Sequence, residues 1–438
     1  MKRVLFVTLV TIVFALALIA VGCGGNSNNQ VQATGTSTTV QFGDATNDQI
    51  AKFELTASSI TLTGAGGTAN TANLLAAPVE FEFSHAAGTF EPVSLSKIPA
   101  GTYSAATISW SNPEIVTVNA GVPTKLTVSP TSGTANVTFS ANITIGSTPT
   151  FLNFDLDLAS SVTISGTSAT LNPTFTATTS SVAPNENGED DHDGEADEVH
   201  GAITAISAPT FTIQTNAGAS ITFSTDANTN FNDGIKQLSD LKVGDVVEVD
   251  SKTQADGSKL ATKIERESNE GGEEAEGLIQ TLDSPLTTIT IVHQLDSTNK
   301  TAPTTVSIGV NAQTQYIVKG DKLTVTGTFD ATHIGKGQRI EADADGQASP
   351  ITARKVQLRE QALIGTVSNA SATGFTLTPS TTSAFASLSG ATSVAVTIVS
   401  GTNLQVTPAN SATVRVRGLV FFDGTAYTMT ATRVDNNH

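Results

Sequence analysis

Carboxylates at alternate positions are the most suggestive chemistry in this chain. Aligned on Gly194, the residues Glu189, Asp191, Asp193, Glu195, Asp197 and His200 fall at positions 1, 3, 5, 7, 9 and 12 of a loop. That spacing gathers oxygen ligands round a divalent cation in EF-hand loops. The last position holds His200, which has no bidentate carboxylate to offer, and no helical pattern flanks the segment. Charge runs of this kind are ordinarily solvated linkers. The expectation is therefore an acidic linker, with Glu189, Asp191, Asp193, Glu195 and Asp197 making at most weak Ca2+ contact of the millimolar type. Asp155 and Asp157 are two apart, as are Glu341, Asp343 and Asp345. On a strand each set shares a face, where a cation site competes with the commoner solvent-facing strand side. "ESNEGGEEAEG", residues 267–277, reads as a second acidic joint.

Other chemistry finds little to stand on. The chain has no Gly-x-Ser-x-Gly elbow and no His-Glu-x-x-His helix. The six histidines are scattered, with His85, His293 and His333 standing singly and His438 at the end; each reads as a packed or surface residue. Trp110 ends an alternating stretch and reads as a core residue rather than a sugar platform. There are 22 basic and 40 acidic residues, and loss of Lys2 and Arg3 with a leader would take the formal net charge from −18 to −20. Such a surface repels phosphate backbones, so nucleic acid is excluded as a partner. No catalytic residue and no cofactor are expected.

The only cysteine, Cys23, closes an uncharged run from Val4 to Val21 that follows Met1, Lys2 and Arg3. A cationic start, an apolar stretch and small residues at the break mark a secretory signal peptide. Ala20-Val21-Gly22-Cys23 resembles the lipobox of bacterial lipoproteins, in which the thiol is lipidated and the chain is cut before it. That family usually has Leu where Ala20 stands. The resemblance implies a lipid anchor on Cys23. Residue 24 is Gly rather than the Asp that retains some lipoproteins in the inner membrane, which points to the outer membrane. Gly24 to Gln30 reads as a flexible tether.

Behind these residues stands a chain of strands. It is rich in Thr, Ser, Ala, Gly and Val, and runs such as "TFTATTSSV" alternate β-branched and small residues. Residues 38–178 hold strand-like segments at the turn spacing of a β-sandwich. "FGDATND", "KIPAGTYSAATIS" and "LNFDLDLASSV" resemble the bacterial lipoprotein family termed domain of unknown function 4382, although Thr46 stands where that family has proline. The family has no assigned activity.

Three related segments follow. Each opens with a small residue and an aliphatic strand. Each closes with Ala-x-basic-aliphatic: Ala261-Thr262-Lys263-Ile264, Ala353-Arg354-Lys355-Val356 and Ala431-Thr432-Arg433-Val434. In "LKVGDVVEV" Gly244-Asp245 make a tight turn, and Val247 and Val249 enter a core. The segments resemble domain of unknown function 5666, the third having lost the Gly-Asp turn.

The expected fold is all-β. A signal peptide (1–22) and tether (23–37) precede the β-sandwich (38–178) and an acidic linker (179–199). Three small OB-like β-barrel repeats follow at 200–266, 277–360 and 361–438, with a second linker at 267–276. The expected function is a non-enzymatic, lipid-anchored protein of the bacterial cell envelope, a spacer or binding array of beads on flexible acidic joints. Its partners would be the membrane and an envelope or extracellular protein or polysaccharide. The alternative is a calcium- or carbohydrate-binding surface module.

Overall fold

The computed structural model describes residues 35–45, 47–86, 90–181, 195–215, 219–232, 234–268, 273–296, 304–318, 327–344 and 351–436. Residues 1–34, which hold the expected signal peptide, Cys23 and most of the expected tether, lie outside them, as do residues 182–194 of the expected acidic linker, Asp345 and His438; Thr36 and Ser37, expected in the tether, begin the first strand. Strands dominate, and the α-helices among the described residues, Phe83–Ala86, Leu158–Ser161 and Ala384–Ser389, are single turns or little more. The all-β expectation holds.

In the amino-terminal unit Thr36–Ala45 lies between Thr150–Asp157, to which it is parallel, and Phe90–Ile98, with Phe175–Ser181 beyond. The facing sheet is built on the long antiparallel pair Ile50–Ala65 and Gly101–Asn119, extended by Val79–Glu82, Val122–Lys125 and Ser132–Ile145. Inward side chains alternate along these strands, and a phenylalanine cluster of Phe42, Phe53, Phe81, Phe83, Phe154 and Phe175 fills the space between them. Trp110 is 3% exposed in this core. Gly133 crosses its ring, and a Cβ there would lie 3.0 Å from it. Tyr103 is buried and donates its hydroxyl to the Pro99 carbonyl at 2.8 Å, closing the Pro-Ala-Gly-x-Tyr turn on itself.

The three carboxy-terminal segments share one topology. In the first, Glu195–Ser207, Thr210–Thr215, Ser220–Ser224, Val246–Thr253 and Lys259–Ser268 close into a barrel. The third and fifth strands pair in parallel at Phe223 opposite Lys259 and Ser224 opposite Leu260. The third segment closes likewise through Gln361–Ser371, Gly374–Pro379, Val394–Leu404, Thr413–Phe422 and Tyr427–Asn436. The second uses Glu273–Leu282, Thr288–Asp296, Thr305–Gly309 and Arg339–Ala344. Its last strand is split, Ile351–Thr352 pairing with the third strand and Lys355–Leu358 with the fourth. The order 1-2-3-5-4 recurs in all three, an OB-like barrel.

Two hydrogen-bonded devices explain the recurrence. The turn before the fourth strand is pinned to the first. Gly244 N donates to Ile203 O and Ile203 N to Asp245 O; Gly337 N donates to Ile279 O and Ile279 N to Gln338 O. Ser411 N donates to Val367 O and Val367 N to Ala412 O. Asp245 and Gln338 each turn a side-chain oxygen back to the first amide of the turn, at 2.9 and 2.6 Å. The third segment keeps the turn despite losing the Gly-Asp pair, because Ser411 takes the left-handed conformation (φ 69) that Gly244 and Gly337 take elsewhere (φ 97 and 82). The second device is a threonine. The hydroxyls of Thr229, Thr314 and Thr402 donate to the carbonyls of Ala261, Ala353 and Ala431 at 2.8, 2.8 and 2.7 Å, and each accepts an amide at 3.0 Å. The alanine of each closing motif is thus a buried wall residue whose carbonyl is tied across the barrel.

The units are packed together rather than strung as beads. Ala51, Val116 and Val118 of the sandwich, Leu278 and Val292 of the second barrel, and Ala384 and Leu388 of the third form one apolar cluster. Gln294 donates to Ala51 O at 2.6 Å, Gln280 to Gly121 O at 3.2 Å, and Ala384 N to Asp48 O at 2.6 Å. Tyr427 donates to Lys336 O and Gln338 to Val420 O between the second and third barrels. The second acidic joint is likewise no free linker. Residues 267 and 268 end one strand and Glu273 begins the next, so the two barrels follow each other almost directly.

Candidate functional site

Strand alternation builds the site. In the first barrel Val247, Val249 and Ile264 point into the core, and the intervening phase turns Glu248 and Glu267 outward. In the second barrel Ile340, Ala342, Val356 and Leu358 point inward, which turns Glu341, Asp343, Lys355, Gln357 and Arg359 outward. These two outer faces meet and exclude water from one another. Glu248, Glu267, Glu341, Asp343, Lys355 and Gln357 are each at most 3% exposed.

Lys355 is the hub. Its ammonium is ion-paired with Glu267 across the seam and with Asp343 on the neighbouring strand at 3.1 Å. Gln357 donates from Nε2 to Glu267 at 2.9 Å and to Glu341 at 3.0 Å. Arg354 donates to the backbone carbonyl of Glu267 at 2.6 Å, which fixes the end of that strand. Arg359 reaches Glu341 at 3.5 Å and Glu248 at 3.9 Å, and His200 Nε2 lies 3.2 Å from Glu248. Burial alone would depress the lysine, but Asp343 and Glu267 outweigh it and hold the amine well above its usual range. The carboxylates outnumber the cations at the centre of the seam, and buried charges of this kind are stable only while every partner is kept.

One oxygen each from Glu267, Glu341 and Asp343 lies within 4.8 Å of the others, a spacing that suits a cation. The Lys355 ammonium already provides that cation. The first barrel carries the equivalent pair, Lys263 and Asp250, 3.8 Å apart and partly exposed. The same two positions become a sealed ion pair in the second barrel because the first barrel covers them.

A second polar junction lies where sandwich, second barrel and third barrel meet. Asp48, Gln294, Arg339 and Gln361 line a cavity of about 40 Å³. Burial pushes the Asp48 carboxyl up to about 7, against the Ile364 amide that donates to it at 3.2 Å.

The other sequence candidates are dispersed. Glu189, Asp191 and Asp193 lie outside the described residues. Glu195 and Asp197 fall in a paired strand rather than in a loop between helices, with Glu195 opposite Lys252. His200 continues that strand to the rim of the seam. Asp157 caps the turn Leu158–Ser161 by accepting from Ser160 N at 2.9 Å, while burial pushes Asp155 up to about 6 against the pull of Arg415 and Arg433. His293 is buried and His333 pairs with Asp330 at 2.9 Å in a turn. Glu341 and Asp343 are fully buried rather than solvent-facing. Glu248, Glu267 and Lys355 escaped the sequence reading as a group. Their signal was the outward phase of the Ala-x-basic-aliphatic motif, which puts Lys263, Lys355 and Arg433 at one position of each barrel.

Residues 200–265, the first barrel, match the model of a family described as a domain of unknown function, DUF5666. No curated protein matches the chain. Among solved structures, the Drosophila Unr CSD456 fragment is 10% identical, over 55% of this chain and 96% of that one, with a TM-score of 0.14. A multidomain protein with nucleic acid binding domains from Streptococcus pneumoniae TIGR4 is also 10% identical, over 53% of this chain and 72% of that one, with a TM-score of 0.12.

Proposed function

We propose that the chain is a non-enzymatic, lipid-anchored protein of the bacterial cell envelope, built of an anchor at Cys23 and a packed β platform that acts as spacer or binding array. The observation that carries this reading is the ionic seam. The charged outer faces of the first two barrels are turned on each other, so their buried charge fixes one unit against the next. A platform of this kind would present its remaining exposed Thr- and Ser-rich strand faces to an envelope or extracellular protein or polysaccharide. Burial of Trp110 removes support from the sugar-stacking alternative, and Lys355 at the centre of the acidic group removes support from calcium there.

Anchoring is tested by Cys23→Ser in cells fed a labelled fatty acid. The expected outcome is loss of label and release of the protein from the membrane fraction. Equal label and equal fractionation in both proteins would overturn it. Cross-linking of intact cells would then identify what meets the exposed faces.

A further inference from the structure

The seam holds the parts of an amide-forming centre. An amine, Lys355 Nζ, touches the carboxyl of Glu267 across the joint between two barrels. Gln357 Nε2 donates to that same carboxyl oxygen at 2.9 Å, where negative charge would develop during attack. Asp343, 3.1 Å from Nζ, can take and return a proton. Arg354 clamps the backbone carbonyl of Glu267 at 2.6 Å, so amine and carboxyl are held in one geometry. The amine and both carboxyls lie out of water, with Glu267 1%, Asp343 0% and Lys355 2% exposed. The chain has one cysteine and hence no internal disulfide to hold its units together.

We propose that Lys355 and Glu267 condense spontaneously into an isopeptide bond that staples the first barrel to the second. The ammonium, which Asp343 and Glu267 otherwise hold charged, first passes a proton to Asp343, one of the carboxylates in excess at the seam, in the uphill step that makes the reaction slow. The free amine attacks Cδ of Glu267, and the N–Cδ bond forms. The proton on Asp343 and a second proton from nitrogen leave with one Glu267 oxygen as water, and that C–O bond breaks. Asp343 ends as the carboxylate it began as, and no oxidant, reductant or activating group is consumed. A buried ammonium and a buried carboxylate become a neutral amide, which relieves the desolvation of the pair. Lys263 and Asp250, the counterparts of Lys355 and Asp343 in the first barrel, lie 3.8 Å apart at a partly exposed site and supply an internal control.

Peptide mapping of the purified full-length chain tests this. The expected result is a branched peptide joining the segments that contain Glu267 and Lys355, lighter by one water than the two linear peptides together. It should be missing from Lys355→Arg, while Lys263 stays unmodified. Cleavage of the intervening chain should leave the two fragments joined on a denaturing gel. Linear peptides only, in the wild-type protein, would overturn the proposal whether or not the variant folds. So would a link mapped to Asp343 in place of Glu267.

Discussion

Ser411 holds a backbone conformation (φ 69) that glycine holds in the other two barrels. A non-glycine residue there carries a steric penalty of roughly 1 kcal/mol. Ser411→Gly is therefore expected to stabilise the third barrel by about 0.5–1 kcal/mol, read as a higher urea midpoint with an unchanged slope. Lys259 makes the opposite kind of case. It is 2% exposed, donates to Thr253 at 2.6 Å and lies 4.9 Å over the Phe151 ring of the sandwich. Burial pushes its amine down from 10.5 to about 7. The unfolded chain keeps that proton up to the higher value, so unfolding takes up a proton between about pH 7 and pH 10. Stability should rise with pH across that window. Lys259→Met keeps the stem on Phe151 and should abolish the rise while unfolding at a higher temperature at pH 7. An identical pH slope in the two proteins would show that the amine is not desolvated.

At the scale of elements, Asp48 governs the junction of three units. Its carboxyl ionises near 3.8 in the unfolded chain and near 7 in the folded one. Unfolding therefore releases a proton between those values, and the contribution to stability is full below 3.8 and lost as pH rises through 7. Asp48→Asn retains an acceptor for the Ile364 amide and should flatten that slope, leaving the variant the more stable protein at pH 8; thermal melts from pH 4 to pH 8, about the window set by the shift, decide it. Much of the architecture could be read from the chain because its cause is local. Alternation sends Val247 and Val249 inward, and the Ala-x-basic-aliphatic motif fixes the last strand of each barrel. The seam could not be read, because burial of Glu341 and Asp343 depends on a neighbouring barrel that strand periodicity does not mention. "ESNEGGEEAEG" reads as a linker by composition, yet Glu267 and Glu276 are buried where strands meet. The third turn was hidden for another reason: serine in place of glycine erases the residue signal but not the backbone path.

For the whole molecule, packing replaces a string of beads. Small-angle scattering is expected to give a compact particle with the same dimensions in EDTA and in millimolar Ca2+, since side-chain ions and apolar contacts already close the joints. An elongated profile, or one that contracts on adding Ca2+, would show that the acidic segments act as calcium-dependent hinges. The first described strand, Thr36–Ala45, has a mechanical consequence. It lies inside its sheet, parallel to Thr150–Asp157 on one side and antiparallel to Phe90–Ile98 on the other. Tension entering from the amino-terminal side would pull along that strand and load both ladders in shear. Their hydrogen bonds would have to break together, not one at a time from an end. Resistance to pulling would then be set by a high unfolding barrier, and the unit next to the point of load would be the last to yield.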